Sequence, residues 1–145
     1  MDQRLNKRSA DASAGRPAGK RPRVAIIGAG QSGRGFLARL LAGQADITFM
    51  DRDMDLVTRL REAGNYQVRS FDGQDIAVVG GYAALHTGEE EACARALQEA
   101  DLVLTCVRAE NGPEAGRWLS RLHKEPLPVI ACENAARPAD TLRLS

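Results

Sequence analysis

From Val24 onward, short apolar runs alternate with stretches in which apolar side chains recur every three or four positions, the two spacings that separate strands from helices. Val24-Ala25-Ile26-Ile27 is unbroken and ends in glycine, as expected of a strand covered on both faces in a parallel sheet. Phe36, Leu37, Leu40 and Leu41 then mark a helix over 31–42, with Gly43 as its stop. Ile47-Thr48-Phe49-Met50 reads as a second strand. Leu56, Val57 and Leu60 mark a helix over 54–63, closed by Gly64.

The period then changes to two. Tyr66 to Phe71 alternates, Asp72-Gly73 predicts a two-residue hairpin turn, and Ile76-Ala77-Val78-Val79 returns, an antiparallel insertion that the pattern carries on through 82–85. Helical spacing resumes over 89–100, followed by an apolar strand at 102–107, a helix over 113–123, a strand at 127–132 and a helix opening near Arg137. The order β-α-β-α-ββ-α-β-α-β predicts an α/β chain of Rossmann type: a doubly wound, mostly parallel sheet with a small antiparallel insertion.

Composition narrows the class. The 145 residues are 43% hydrophobic and 27% charged, which suits one globular domain, and no apolar run approaches the length of a membrane helix. Net charge is +1, but residues 1–23 hold seven basic and two acidic side chains against thirteen and seventeen in the rest. The body is therefore mildly acidic and carries no nucleic-acid footprint. Residues 1–22 are almost without apolar side chains, which predicts a disordered basic tail ahead of a domain at 23–145. Lys7-Arg8 and Lys20-Arg21-Pro22-Arg23 are spaced like a bipartite nuclear signal, with a solubilising extension as the blander reading. The tail lacks a signal-peptide core, so a cytoplasmic protein is expected. Cys93, Cys106 and Cys132 show no metal spacing and read as reduced thiols.

The chemistry concentrates after the first strand. Gly28-Ala29-Gly30-Gln31-Ser32-Gly33 fits G-x-G-x-x-G between a buried strand and a helix: Gly28 for the tight turn, Gly30 for approach to a pyrophosphate, Gly33 for close helix packing. Unpaired amides at that helix start favour phosphate, and Arg34 is either a further phosphate contact or a solvated arginine. Asp51 ends the second strand, twenty-three residues beyond Gly28, where a carboxylate accepts the adenosine ribose hydroxyls and disfavours a 2′-phosphate. The cofactor expected is NAD, although Arg52 next to it has the chemistry to pair with that phosphate. Ligands of such sheets lie beyond the carboxyl ends of the strands, which nominates Thr105, Cys106 and Val107 for the nicotinamide ribose and Glu133 and Asn134 for the reactive ring. Asn134 is a hydrogen-bond donor for a substrate oxygen, or else a helix cap or turn residue. His86 and His123 have no catalytic partner in sequence and read as surface or helix-end residues.

Val24–Phe36, the Thr48–Asp51 strand end, Tyr66-Gln67-Val68 and above all Val129-Ile130-Ala131-Cys132-Glu133-Asn134 resemble mannitol-1-phosphate 5-dehydrogenase and the long-chain polyol dehydrogenases over most of 23–137. Two departures are Ser32, where that family has a bulky aliphatic residue, and Arg108-Ala109, where a Gly-Pro-like turn is expected. The resemblance implies NAD-dependent interconversion of a sugar or sugar phosphate with its polyol, with Asn134 polarising the substrate carbonyl. It also implies a helical substrate domain bearing a catalytic lysine, which these 145 residues do not contain. The expected molecule is thus the cofactor half of an oxidoreductase, inactive by itself. The alternative is a stand-alone NAD(H)-binding sensor or docking module.

Overall fold

The computed structural model describes residues 19–143; residues 1–18 of the expected basic tail, with the first of its basic clusters, lie outside the described residues. Five strands form one parallel sheet: β1 (Arg23–Ile27), β2 (Asp46–Asp51), β5 (Ala83–His86), β6 (Leu102–Thr105) and β7 (Val129–Ala131), in the order β5-β2-β1-β6-β7. Strands β3 (Asn65–Arg69) and β4 (Ile76–Gly80) pair antiparallel in a separate ribbon, with Tyr66 opposite Val79.

Alternation along β1 explains the two layers. Val24 and Ile26 join Ile47, Phe49, Leu56, Val57 and Leu60 in one core, beneath α2 (Met54–Ala63) and the ribbon. Ala25 and Ile27 join Met50, Val103, Cys93 and Leu97 in the other, beneath α3 (Glu90–Glu99) and α4 (Gly112–Leu122). Helices on both faces of a parallel sheet confirm the doubly wound fold read from the sequence. The strand order reverses between β1 and β6, which opens a crevice at their carboxyl ends.

Three expectations are corrected. Ala83–His86 belongs to the parallel sheet, with Thr48 opposite Ala83 and Asp51 opposite His86, rather than to the insertion. The chain crosses there because Ala84 buries beside α2 and its carbonyl accepts the Arg61 Nε–H at 2.8 Å. The hairpin turn is wider than the two residues expected. The Ser70 amide donates to the Asp75 carbonyl at 2.9 Å, and Asp72 takes the Ser70 hydroxyl at 2.5 Å and the Gln74 amide at 3.2 Å. These local bonds, chiefly the hydroxyl, hold the Asp72 carboxyl below its usual range and wind the loop beyond a two-residue turn.

The first helix is also irregular. Gly33–Leu37 is a π-helical turn in which the Ala38 amide reaches back to the Gly33 carbonyl, and only Ala38–Leu41 (α1) is regular after it. With that wide turn in place, Leu37 and Leu41 pack on the core while Phe36 and Leu40, expected on the same buried face, stand 64% and 57% exposed. A last helix, α5 (Pro138–Arg143), packs beside α4.

Helix α2 is capped by Asp53, whose Oδ1 accepts the Leu56 amide at 3.1 Å, and ends at Gly64 with φ +68°. Replacing Asp53 with Ala removes the cap and is expected to cost about 1 kcal/mol in urea unfolding.

Candidate functional site

The crevice at the carboxyl ends of β1, β2, β5 and β6 is a cavity of about 540 Å³, within the range of small-molecule sites. Six of the nominated residues line it: Gly28, Gly30, Asp51, Arg52, Cys106 and Val107. Its floor is the glycine-rich turn. Gly28 (φ +96°) donates its amide to the Met50 carbonyl at 2.8 Å, and a Cβ there would stand 2.7 Å from the Cys106 carbonyl oxygen. Gly33 is pressed against the Gly28 carbonyl in the same way. Gly30 differs from both: a Cβ on it meets nothing within 4 Å, so its backbone borders open space.

The first helical bond runs from the Arg34 amide to the Gly30 carbonyl, 3.0 Å. By helix geometry the amides of residues 30–33 then have no carbonyl partner within the helix, and the positive end of its dipole lies at the crevice.

Asp51 spans the turn and the strand end. Its Oδ2 accepts the Ala29 amide at 2.7 Å and its Oδ1 the Asp53 amide at 2.8 Å. Each oxygen keeps acceptor capacity for a further donor. The backbone at 51–52 is held from β5: the Thr87 amide donates to the Asp51 carbonyl at 3.0 Å, and His86 Nε2 lies 2.9 Å from the Arg52 carbonyl. Because His86 Nδ1 accepts the Gly88 amide at 3.0 Å, the imidazole is the Nε2–H tautomer and donates to Arg52. His86 is therefore a brace for the crevice rim, a role the sequence reading did not assign.

The remaining nominated residues lie outside the lining. Ala29 is buried and offers only its amide, while Gln31 and Ser32 are exposed at the helix start. Thr105 is wholly buried, its hydroxyl without a partner among the described residues. Beyond β7, Glu133 has both carboxylate oxygens shielded and unpartnered, and Asn134 is exposed. Arg34 is half-buried near Tyr66 and Tyr82; the Tyr66 hydroxyl donates to the Arg34 carbonyl at 2.9 Å, and burial pushes that phenol up to about 12.

Burial, followed by the neighbouring Cys132 and Glu133, pushes the Cys106 thiol up to about 12, and burial likewise raises Cys132. Neither is an activated nucleophile. Cys93, deep under the sheet, is raised to about 11 by the same cause.

The sequence reading missed most of the opposite wall, Thr87, Glu110, Asn111, Glu114 and Trp118; Arg108, which also lines it, is the residue noted above only as a departure from the family's turn. Trp118 Nε1–H donates to the Thr87 carbonyl at 3.3 Å, and Arg52 Nη1 pairs with Glu114 at 3.3 Å from across the crevice. Assigning β5 to the parallel sheet would have put Thr87 at a strand end; nothing local marks Glu114 or Trp118. No helix among the described residues is long and apolar enough to cross a membrane.

The sequence pattern of the family described as ketopantoate reductase PanE/ApbA matches residues 24–144. Mannitol-1-phosphate 5-dehydrogenase of Geobacillus thermodenitrificans is 36% identical over 131 residues, which cover 83% of this chain and 34% of that protein. The Brevibacillus brevis enzyme of the same name is 36% identical over 127 residues, 81% of this chain and 33% of its own length. The resemblance read from the sequence therefore holds, and the chain spans about a third of these relatives. A crystal structure of a PanE/ApbA family ketopantoate reductase from Ralstonia eutropha superposes with TM-score 0.62 at 25% identity, covering 84% of this chain and 37% of that one.

Proposed function

The chain belongs to the ketopantoate reductase PanE/ApbA family, and from that premise we propose that residues 23–145 are the NAD(H)-binding half of a polyol dehydrogenase resembling mannitol-1-phosphate 5-dehydrogenase. The observation that carries this reading is the pairing of an open Gly30 with Asp51 in one cavity. A diphosphate fits against Gly30, where no side chain intervenes, and the amides of 30–33 supply donors to it. Asp51, oriented by the Ala29 and Asp53 amides, keeps acceptor capacity toward the ribose diol. The charge of Asp51 disfavours a 2′-phosphate, which supports NAD over NADP.

When bound, the nicotinamide would accept hydride from a CH–OH carbon or donate it to the corresponding carbonyl carbon. On this reading Cys106 and Val107 bound the nicotinamide ribose. Asn134, exposed just past β7, offers its amide to the substrate oxygen as charge develops on it. A base for the hydroxyl proton must come from a further, substrate-binding domain. The described residues therefore bind cofactor without turnover.

Calorimetric titration tests this: NADH is expected to bind more tightly than NADPH, with no dehydrogenation of mannitol 1-phosphate by the chain alone. Binding of neither dinucleotide would overturn the proposal.

A further inference from the structure

The Arg52–Glu114 pair lies across the mouth of the crevice, and both residues line the cavity that Asp51 borders. Arg52 directly follows Asp51, so its guanidinium is the cation nearest in sequence to the ribose-binding carboxylate. It is also the group best suited to a phosphate on that ribose, since arginine offers a planar fork of donors. Its backbone is not free to move it elsewhere: the Arg52 carbonyl is held by His86 Nε2 at 2.9 Å, and the Asp51 carbonyl by the Thr87 amide at 3.0 Å. What remains variable is the side chain, and that is engaged by the Glu114 carboxylate at 3.3 Å.

Resting on the dinucleotide-binding reading above, we propose that Glu114 is a cofactor-specificity residue: by engaging Arg52 it withholds the guanidinium from a 2′-phosphate and keeps the site selective for NAD(H) over NADP(H).

Both side chains are about two-thirds exposed, 64% and 66%, so the pair contributes little to folding. Its consequence is instead a difference between two ligands. NADH needs nothing from Arg52 at the 2′ position. NADPH must break the Arg52–Glu114 pair and place its phosphate near two carboxylates, Asp51 and Glu114. Discrimination thus comes from an unfavourable arrangement against the competitor as much as from favourable bonds to the preferred ligand. Asp51 alone would repel the phosphate but would leave a free arginine beside it.

Titrations with NADH and NADPH are made on the parent chain, on Glu114→Gln, on Arg52→Ala and on the double variant. Glu114→Gln is expected to raise the NADPH-to-NADH affinity ratio about tenfold, the scale of one new charge-assisted hydrogen bond together with the removal of one repulsion. The increase should fall with added salt and shrink to a small remainder in the double variant, because the new hydrogen bond needs Arg52 and only the lost repulsion survives without it. Thermal melts check that each variant is folded. An unchanged ratio in Glu114→Gln, or an increase of undiminished size in the absence of Arg52, would overturn the specificity role while leaving dinucleotide binding intact. A parent chain that binds neither ligand would overturn both.

Discussion

Replacing Gly30 with valine should abolish dinucleotide binding while leaving the fold in place. A Cβ at Gly30 meets nothing within 4 Å and the residue has no positive φ, so the protein itself accommodates a side chain there. A bound diphosphate would not. The two γ-carbons would project into the space next to the first-turn amides, displacing the phosphates from donors they must approach to about 3 Å. An affinity loss of a hundredfold or more is expected, which corresponds to about 2.7 kcal/mol. The test is NADH titration beside a far-ultraviolet melt. A variant that still binds NADH at the parental affinity would show that the diphosphate does not sit on this turn.

Gly28→Ala should do the opposite and damage the fold. Gly28 adopts φ +96°, where an L side chain is strained, and an added methyl would lie 2.7 Å from the Cys106 carbonyl oxygen and 2.8 Å from its carbon. Neither of those atoms is the flexible end of a side chain. The Cys106 amide is already bonded to the Ile27 carbonyl at 2.7 Å, so β6 cannot withdraw without losing its pairing with β1. Backbone strain and displacement together are expected to cost about 3 kcal/mol or more, read as a shift in the urea midpoint. Comparison of the two variants separates the glycine that packs from the glycine that leaves room. Their places in the glycine motif predict that division, Gly28 at the tight turn and Gly30 toward the pyrophosphate.

Much of this was legible beforehand, for physical reasons. The β1-turn-helix unit and Asp51 are encoded locally: an apolar run sets the strand, glycines set the turn, and the carboxylate must fall at the next strand end. Helix α2, with Asp53 before it and Gly64 after it, is likewise written in its own residues.

The misses arise where distant segments decide. Ala83-Ala84-Leu85-His86 has too little periodicity to declare its sheet, and only pairing with Thr48–Asp51 and burial on α2 assign it. Phe36 and Leu40 follow the ordinary helical period, whereas the π-helical turn at Gly33–Leu37 turns them outward. The far wall of the crevice depends on how α4 lies over β5 and β6, which no local pattern expresses.

The strand order β5-β2-β1-β6-β7 also dictates when the crevice can come into being. β1 sits at the centre, yet its second neighbour, β6, is synthesised about 80 residues later, and such long-range pairing closes slowly. On the ribosome the early segments 23–63 can gather as β1-α1-β2-α2, but the turn at Gly28 has no lid of Cys106 to press against until β6 emerges. A nascent chain stopped before Leu102 should therefore be protease-sensitive at that turn and unable to retain dinucleotide.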